Sequence, residues 1–477
     1  MIAPPTTVWL FLVLAAPAAG AVLALVPFGR VSEVVARSAS LVTLAGALGL
    51  LVTSAQGTWG SYLGVDSLSE VFLTTVAAIY ATSTWYSKGY LRSVTRPFLT
   101  PQAYYALLSS FAFAMVATLV VSDLGLMWIG VEGTTIASAL LLVLERRPTS
   151  VEAAWRYTLI ASAGLTIALF ALLLLYTSTG TLNVFALAAH PPAVSLAVEM
   201  AVALALVGYG TKVGLFPMHT WLPDAHAEAP SPVSAMFSGV LLPTALYGFL
   251  RVYRVLPTPA PAVITDLLLV FGVTTALVAA FLLQRQRSYK RLLAYSSMEV
   301  MGLALVGVAL GGVALYGALL LIVAHALAKS AAFYCAGNVL QRTDTTRIDD
   351  VRDLQHTMPR TGTAWVLAAA GVTGAPPFGT FLGELLILVG AVAVADYTVA
   401  LAVVVAILVA FLGVNSQIGR MVFGAALPTE ANRTAAEPAT SVVYLNLAVA
   451  AGLGVATWPY LTPAIRAAAA LLGGASP

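Results

Sequence analysis

Residues 208–232 read GYGTKVGLFPMHTWLPDAHAEAPSP, the end of a long apolar segment that carries Lys212 and then breaks. A lysine at bilayer depth costs about 2.5 to 3.5 kcal/mol on insertion scales, so Lys212 is expected to face other helices or water and to have a partner. Pro217 then removes a backbone donor, and Gly208, Gly210 and Gly214 loosen the turns before it. A broken helix at that depth is tolerated only where it packs in protein or lines a wet cavity. The alternative, a helix-end lysine that snorkels to the headgroups, conflicts with the apolar run 194–207 before it, where Glu199 is the one charged residue. The pattern points to a titratable ammonium beside a discontinuous helix, as ion-moving proteins build them.

The rest of the chain agrees with a membrane setting. Of its 477 residues 60% are hydrophobic and 9% charged, and the mean hydropathy is +0.93; this excludes an ordinary soluble domain and indicates an all-α polytopic membrane protein. Cys335 is the single cysteine, so a disulfide within the chain and a thiolate metal cluster are excluded. The N-terminal apolar run has no positive charge before it and continues to Val26, which reads as a retained first span rather than a cleaved signal.

At about 20 residues per span, hydropathy gives about 14 spans. They lie near 7–26, 34–54, 66–87, 103–120, 122–145, 155–177, 194–218, 230–250, 262–283, 294–311, 313–340, 363–391, 396–420 and 440–472, the last with a kink at Pro459 and Pro463. Placing both termini outside puts most basic residues in inner loops, as the positive-inside rule requires. Those are Arg30 and Arg37; Lys88, Arg92 and Arg96; Arg146, Arg147 and Arg156; Arg285, Arg287, Lys290 and Arg291; Arg342, Arg347, Arg352 and Arg360; and Arg420 and Arg433. Arg251, Arg254 and Arg466 are the exceptions on the outer side.

Two of the chain's four lysines, Lys212 and Lys329, fall inside spans, together with Glu132, Glu299 and Glu384. Glu132, in LMWIGVEGTTIASALL, is expected to be the counter-ion of Lys212: an opposite charge within about 4 to 6 Å keeps both groups ionised, and moving it away releases the proton. A second break is expected in TGAPPFGTFLGELLILVG, where Pro376, Pro377, Gly379 and Gly383 interrupt an apolar segment before Glu384. Two interrupted segments, each with an ionisable residue, suggest paired inverted halves around a transport site. The expected organisation is an N-terminal segment 1–100, a first repeat 101–255, a second repeat 256–422 and a C-terminal span 423–477. Glu299 would then answer Glu132, and Glu384 would answer Lys212.

Between the halves, VAHALAKSAAFY sets His325 and Lys329 four residues apart on one helix face, a pair suited to a proton relay. His219, Asp224, His226 and Glu228 follow the first break. Their spacing fits no metalloprotease motif, so a proton-uptake or helix-capping role is preferred to a metal site.

KVGLFPMHTWLPDAHAEAPSPVSA, YKRLLAYSSMEVMG, HALAKSAAFYCAGN and PPFGTFLGELLIL closely resemble the antiporter-like proton-translocating subunits of respiratory complex I, multisubunit sodium/proton antiporters and energy-converting membrane-bound hydrogenases. The resemblance implies a Glu132–Lys212 pair, places Glu384 at the matching position of the second half, and puts His325 and Lys329 in the relay between half-channels. One departure is that GVLLPTALYG carries Pro243 where many complex I members have a lysine, so water or His325 has to bridge. That loss, with Glu299 in SSMEVMG, is closest to the hydrogenase-type branch.

The expected function is therefore a proton-translocating subunit of a redox-driven membrane complex such as a hydrogenase or NADH:quinone oxidoreductase, without redox chemistry of its own. No Gly-rich nucleotide fingerprint, haem ligand pair or cysteine cluster is present, so no cofactor is expected in this chain. Expected partners are other membrane subunits, including a redox or antiporter module, the lipid bilayer, and protons or Na+; no nucleic acid is implied. The alternatives are a subunit of a sodium/proton antiporter or inorganic-carbon uptake system, and a scaffold that conducts nothing. A prokaryotic inner membrane is the expected location.

Overall fold

The structure, a computed structural model, describes residues 4–26, 31–94, 97–426 and 437–473. Arg30, Arg96 and Arg433 of the charge pattern above lie outside the described residues. The elements run α1 (Pro4–Leu23), α2 (Val31–Thr53), β1 (Gly57–Trp59), β2 (Leu63–Val65), α3 (Ser67–Ser93), α4 (Pro101–Val120), α5 (Leu124–Leu142), α6 (Pro148–Thr179), α7 (Val184–Ala189) and α8 (Leu196–Val213). They continue with α9 (Leu222–Glu228), α10 (Ser231–Met236), α11 (Leu242–Tyr253), α12 (Ala262–Leu283), α13 (Tyr289–Leu310) and α14 (Gly312–Thr343). The last are α15 (Leu354–Thr357), α16 (Pro359–Val372), α17 (Gly379–Ala393), α18 (Tyr397–Phe423), α19 (Ser441–Val455) and α20 (Leu461–Leu471).

Among the described residues, ten helical segments are long and apolar enough to cross a membrane, with Ser231–Tyr253 counted as one, and four shorter apolar helices accompany them. The chain is thus a multi-pass membrane bundle. α14 runs through its middle, packed against α3, α10, α13, α16, α17, α19 and α20. Every residue from Ser231 to Val252 is buried as well. α5 and α6, by contrast, turn Ile129, Ile136, Trp155, Phe170 and Leu173 outward.

α3 is more polar than its neighbours because its hydroxyls bind inside the protein. Ser83 pairs with Tyr334 at 2.8 Å, Ser87 with Tyr104 at 2.8 Å, and Tyr86 donates to Asn338 at 3.0 Å. These contacts satisfy polar groups that lipid would leave unpaired.

Several expected boundaries move. The first break begins at Gly214 rather than Pro217: α8 stops at Val213, Gly214 takes a left-handed φ of +85°, and Pro217 lies in the non-helical stretch beyond. The second break lies between α16 and α17 and contains Pro376 and Pro377, whereas Gly383 sits inside α17. There Gly383 allows close packing, its α-carbon facing Leu321 and the Gly317 carbonyl of α14. The expected kink of the last span is a full interruption between α19 and α20 that holds Pro459, while Pro463 is accommodated in the first turn of α20.

Hydropathy gave no hint of the π-helical stretch Phe237–Leu241 that joins α10 to α11. Pro243 follows two residues after its end, in the first turn of α11. A proline lacks the N–H of the ladder and its ring crowds the carbonyl one turn back, and a wider turn is one way a helix absorbs both defects.

At one end of the bundle Asp66, the N-cap of α3, receives both terminal nitrogens of Arg251 at 2.6 Å and Arg254 at 3.1 Å. Arg251 also donates to Ser69 and to the Tyr247 hydroxyl, each at 2.8 Å. Arg251 and Arg254 departed from the positive-inside pattern, and in the structure both pair with one carboxylate, Asp66, within the protein. Asp66→Ala leaves the buried Arg251 guanidinium without its carboxylate, a change that costs about 3 to 5 kcal/mol in buried pairs. A clear drop in the unfolding temperature of the purified protein is expected, whereas an unchanged melting curve would show that the α3–α11 clamp contributes little.

Candidate functional site

Both breaks are closed in the same way. After α8 the amide of Leu215 donates to the Gly210 carbonyl at 2.9 Å across left-handed Gly214; after α16 the amide of Ala375 donates to the Ala370 carbonyl at 2.9 Å across left-handed Gly374. These are Schellman closures, in which an αL glycine lets the chain fold back onto its last turn. Side chains take further exposed carbonyls: Trp221 Nε1 donates to the Thr211 carbonyl at 2.8 Å, and Thr380 Oγ1 to the Gly371 carbonyl at 2.6 Å. Carbonyls that the helix ladder leaves free at each broken end, Gly210 and Thr211 at the first and Ala370 and Gly371 at the second, are thereby satisfied within the protein.

Lys212 lies one residue before the end of α8 and is fully buried. Its Nζ donates to the Val131 carbonyl at 3.2 Å and to the Thr135 hydroxyl, both on α5. Glu132 stands between those positions in sequence, but successive helical residues are rotated by about 100°, so its carboxylate turns toward α6. There it accepts from Ser162 Oγ at 2.6 Å, while its second oxygen has no partner. The expected counter-ion is therefore not in direct contact with the lysine. Among the described residues, Glu132 remains the charged group whose field acts on Lys212.

A second lysine is held alike. Lys329 on α14, fully buried, donates to the Leu293 carbonyl at 3.1 Å and to Ser296 Oγ at 2.8 Å, both on α13. The Glu299 charge acts on it, and Glu299 in turn acts on Glu384, so the three form one electrostatic chain. Glu384 presses its carboxylate against Gly374, the closing glycine of the second break: a β-carbon there would lie 1.9 Å from Glu384 Oε2. His325 sits one turn before Lys329, buried, with neither ring nitrogen paired.

The uptake candidates separate. Asp224 and Glu228 reach a surface cleft of about 340 Å3 that Arg156 and Arg291 also line. Asp224 pairs there with both arginines, and Glu228 accepts from Thr149 at 2.9 Å. His226 is fully buried, stacked on Phe333 with ring centres 5.3 Å apart and edge-on to Phe237 at 5.7 Å. His219 lies against Phe216 and Tyr295. These four side chains do not converge on one point.

Aromatic rings stand between Lys212 and His226. The Lys212 ammonium lies 5.4 Å from the Tyr157 ring, Tyr157 packs on Trp221 at 4.6 Å and on Phe237 at 5.7 Å, and Phe237 meets His226. Phe237 opens the π-helical stretch before Pro243, where the sequence reading expected a gap to be bridged. His325 lies on α14 beside this stretch, its neighbour Ala326 facing Gly239 with its carbonyl, and the Lys329 charge one turn on acts on it.

Lys290 was counted among loop cations, yet its side chain is buried and donates to the Ala227 carbonyl at 2.9 Å and to the Ala229 carbonyl. The legible signal was its position at the start of an apolar run in a chain with four lysines. The hydroxyls of Thr135 and Ser296 carried no distinguishing signal.

Residues 121–410 match the family described as NADH:quinone oxidoreductase/Mrp antiporter, transmembrane. A hydrogenase-4 component F homologue of Methylacidiphilum infernorum is 35% identical over 352 residues, covering 70% of this chain and 73% of that protein. Two solved chains share the fold. One, in the membrane-bound sulfane sulfur reductase, an archaeal respiratory membrane complex, is 22% identical with a TM-score of 0.86 and covers 98% of each chain. The other, in the Mrp complex from Dietzia sp., is 21% identical with the same score and coverage.

Gly374→Ala tests the second break. The added methyl group meets the Glu384 carboxylate, and an L-residue at φ +66° adds about 1 to 2 kcal/mol. Loss of transport or of folded yield is expected, while Gly89→Ala, which meets nothing within 4 Å, leaves both unchanged. Normal yield and transport in Gly374→Ala would show that Glu384 does not need this seat.

Proposed function

The chain belongs to the NADH:quinone oxidoreductase/Mrp antiporter family, and from that premise we propose that it is the proton-translocating subunit of a multisubunit membrane complex. The reading rests on one observation above the others: two wholly buried lysines, each held by one carbonyl and one hydroxyl of a neighbouring helix. A carbonyl accepts from the ammonium, whereas a hydroxyl both accepts and donates. The cradle therefore serves the ammonium and the neutral amine alike, which a carboxylate in direct contact would not do. Glu132 and Glu299, held off the lysines but near enough to act on them, bias each amine between its two states.

In this reading Glu132 and Lys212 form the first half-site, and Lys329, Glu299 and Glu384, with His325 beside them, the second. Asp224 and Glu228 mark the uptake side, and His219 and His226 lie behind them. The driving change comes from a partner subunit and acts through charge or helix movement. Redox cofactors, where the complex has them, belong to partners. The similarity to a hydrogenase-4 component favours a redox-driven complex in a prokaryotic inner membrane, and the basic loops favour both termini outside.

Lys212→Ala and Glu132→Ala in the intact complex are each expected to lower coupled proton transport by about a hundredfold or more, with assembly preserved. Quenching of a pH-sensitive dye in membrane vesicles reads this directly. Undiminished transport in both variants, with the complex intact, would favour the scaffold. Transport that requires Na+ would assign the chain to the antiporter alternative, to which the family's Mrp members point.

A further inference from the structure

We propose that Lys290 is a second proton-uptake group, which passes protons from the cleft of Asp224 and Glu228 to His226 and so to Lys329, in a transport cycle that also requires Lys212. The inference deepens the transport reading and rests on it.

The observations meet at the turn between α9 and α10. Lys290 enters it from α13 and bonds the carbonyls of Ala227 and Ala229, on either side of Glu228. The amine lines a cavity of about 120 Å3 together with Glu145, Arg147, Glu228 and Thr346. That volume exceeds the space of one water several times over, and the lining is polar. Ala227, Glu228 and Thr346 also line the larger surface cleft, so the two cavities adjoin. The charged groups acting on Lys290 are Glu228, Arg147 and Glu145.

On the inner side stands His226, wholly buried, with both ring nitrogens unpartnered. Burying an imidazole without a hydrogen bond is costly, and such groups call for a functional account. The charges acting on His226 are Lys290 and Lys329, one toward the surface and one toward the centre. Toward Lys212, in contrast, it meets the rings of Phe237, Tyr157 and Trp221. These rings separate the second half-site from the first, while His226 stacks on Phe333 of α14, the helix that carries Lys329, and directly precedes Ala227, whose carbonyl Lys290 bonds.

The transfer balances as a shift of one proton. The protonated Glu228 carboxyl gives its proton to the lone pair of the neutral Lys290 amine and becomes a carboxylate. The ammonium then gives a proton to an unprotonated ring nitrogen of His226 and returns to the amine. From the imidazolium the proton passes to the neutral Lys329 amine.

Lysine and arginine substitutions separate relay from support, because an arginine keeps the donors that hold the turn but does not give up its proton. In the intact complex in membrane vesicles, Lys290→Met and Lys290→Arg are both expected to lower proton uptake about tenfold or more, with assembly preserved. Transport retained by Lys290→Arg and lost in Lys290→Met would reduce Lys290 to a support for the turn and overturn the inference. Retention in both would overturn it as well. Lys212→Ala, measured alongside, keeps the two readings apart: normal transport there contradicts the proposed function, whereas a dead Lys212→Ala beside active Lys290 variants contradicts this inference alone. Should the Lys290 variants fail to assemble, His226→Gln carries the test, with a comparable loss supporting the relay and full transport overturning it.

Discussion

An amine at bilayer depth has to be solvated by the protein that carries it, and much of this structure follows from that requirement. Lipid offers Lys212 and Lys329 nothing, so helices must bring oxygen atoms to them. α5 supplies Val131 and Thr135, and α13 supplies Leu293 and Ser296. Holding α8 where it meets α5 requires the chain to end its helix within the bundle, and the Schellman closure at Gly214, with Trp221 Nε1 on the Thr211 carbonyl, makes that end stable. The same construction at Gly374 seats Glu384. Broken helices and buried charges are two parts of one solution.

The arrangement also separates as it connects. The rings of Tyr157, Trp221 and Phe237 form an aromatic partition beside Lys212, and Phe237 belongs to the π-helical turn that Pro243 follows. A wider turn next to a ring that separates two polar regions is a place where a small change in helix winding changes what touches what. Clamping of α3 to α11 by Asp66 and Arg251 holds the far end of that helix firm. Movement at Phe237 would then be local rather than a displacement of the whole segment.

Much of this was legible in the sequence, for stated reasons. Long apolar runs gave the membrane class, and Lys212 beside glycines and Pro217 gave the first broken helix, because an ionisable residue in an apolar context has few readings. The position of the break within that stretch was not legible: a proline announces that a helix ends, but the αL glycine before it sets where. The association of Glu132 with Lys212 was legible from charge and from the resemblance, but not that the rotation of successive residues on α5 turns the carboxylate to Ser162 and leaves it acting on the lysine without a direct bond. Lys290 was read as a loop cation because the positive-inside rule counts charges and does not say which way a side chain turns. The pairing of Asp66 with Arg251 spans 185 positions, and no local pattern announces it.

The central claim is that the buried lysines change protonation state while their carboxylate neighbours answer. Infrared difference spectroscopy on the intact complex with isotope-labelled lysine, under an imposed proton gradient, measures this, and comparison with Lys212→Arg assigns the signal. The account predicts loss of ammonium bending bands together with a gain of protonated-carboxyl bands, the lysine component diminished in Lys212→Arg. Lysine bands that stay constant across the gradient while protons cross the membrane would contradict it.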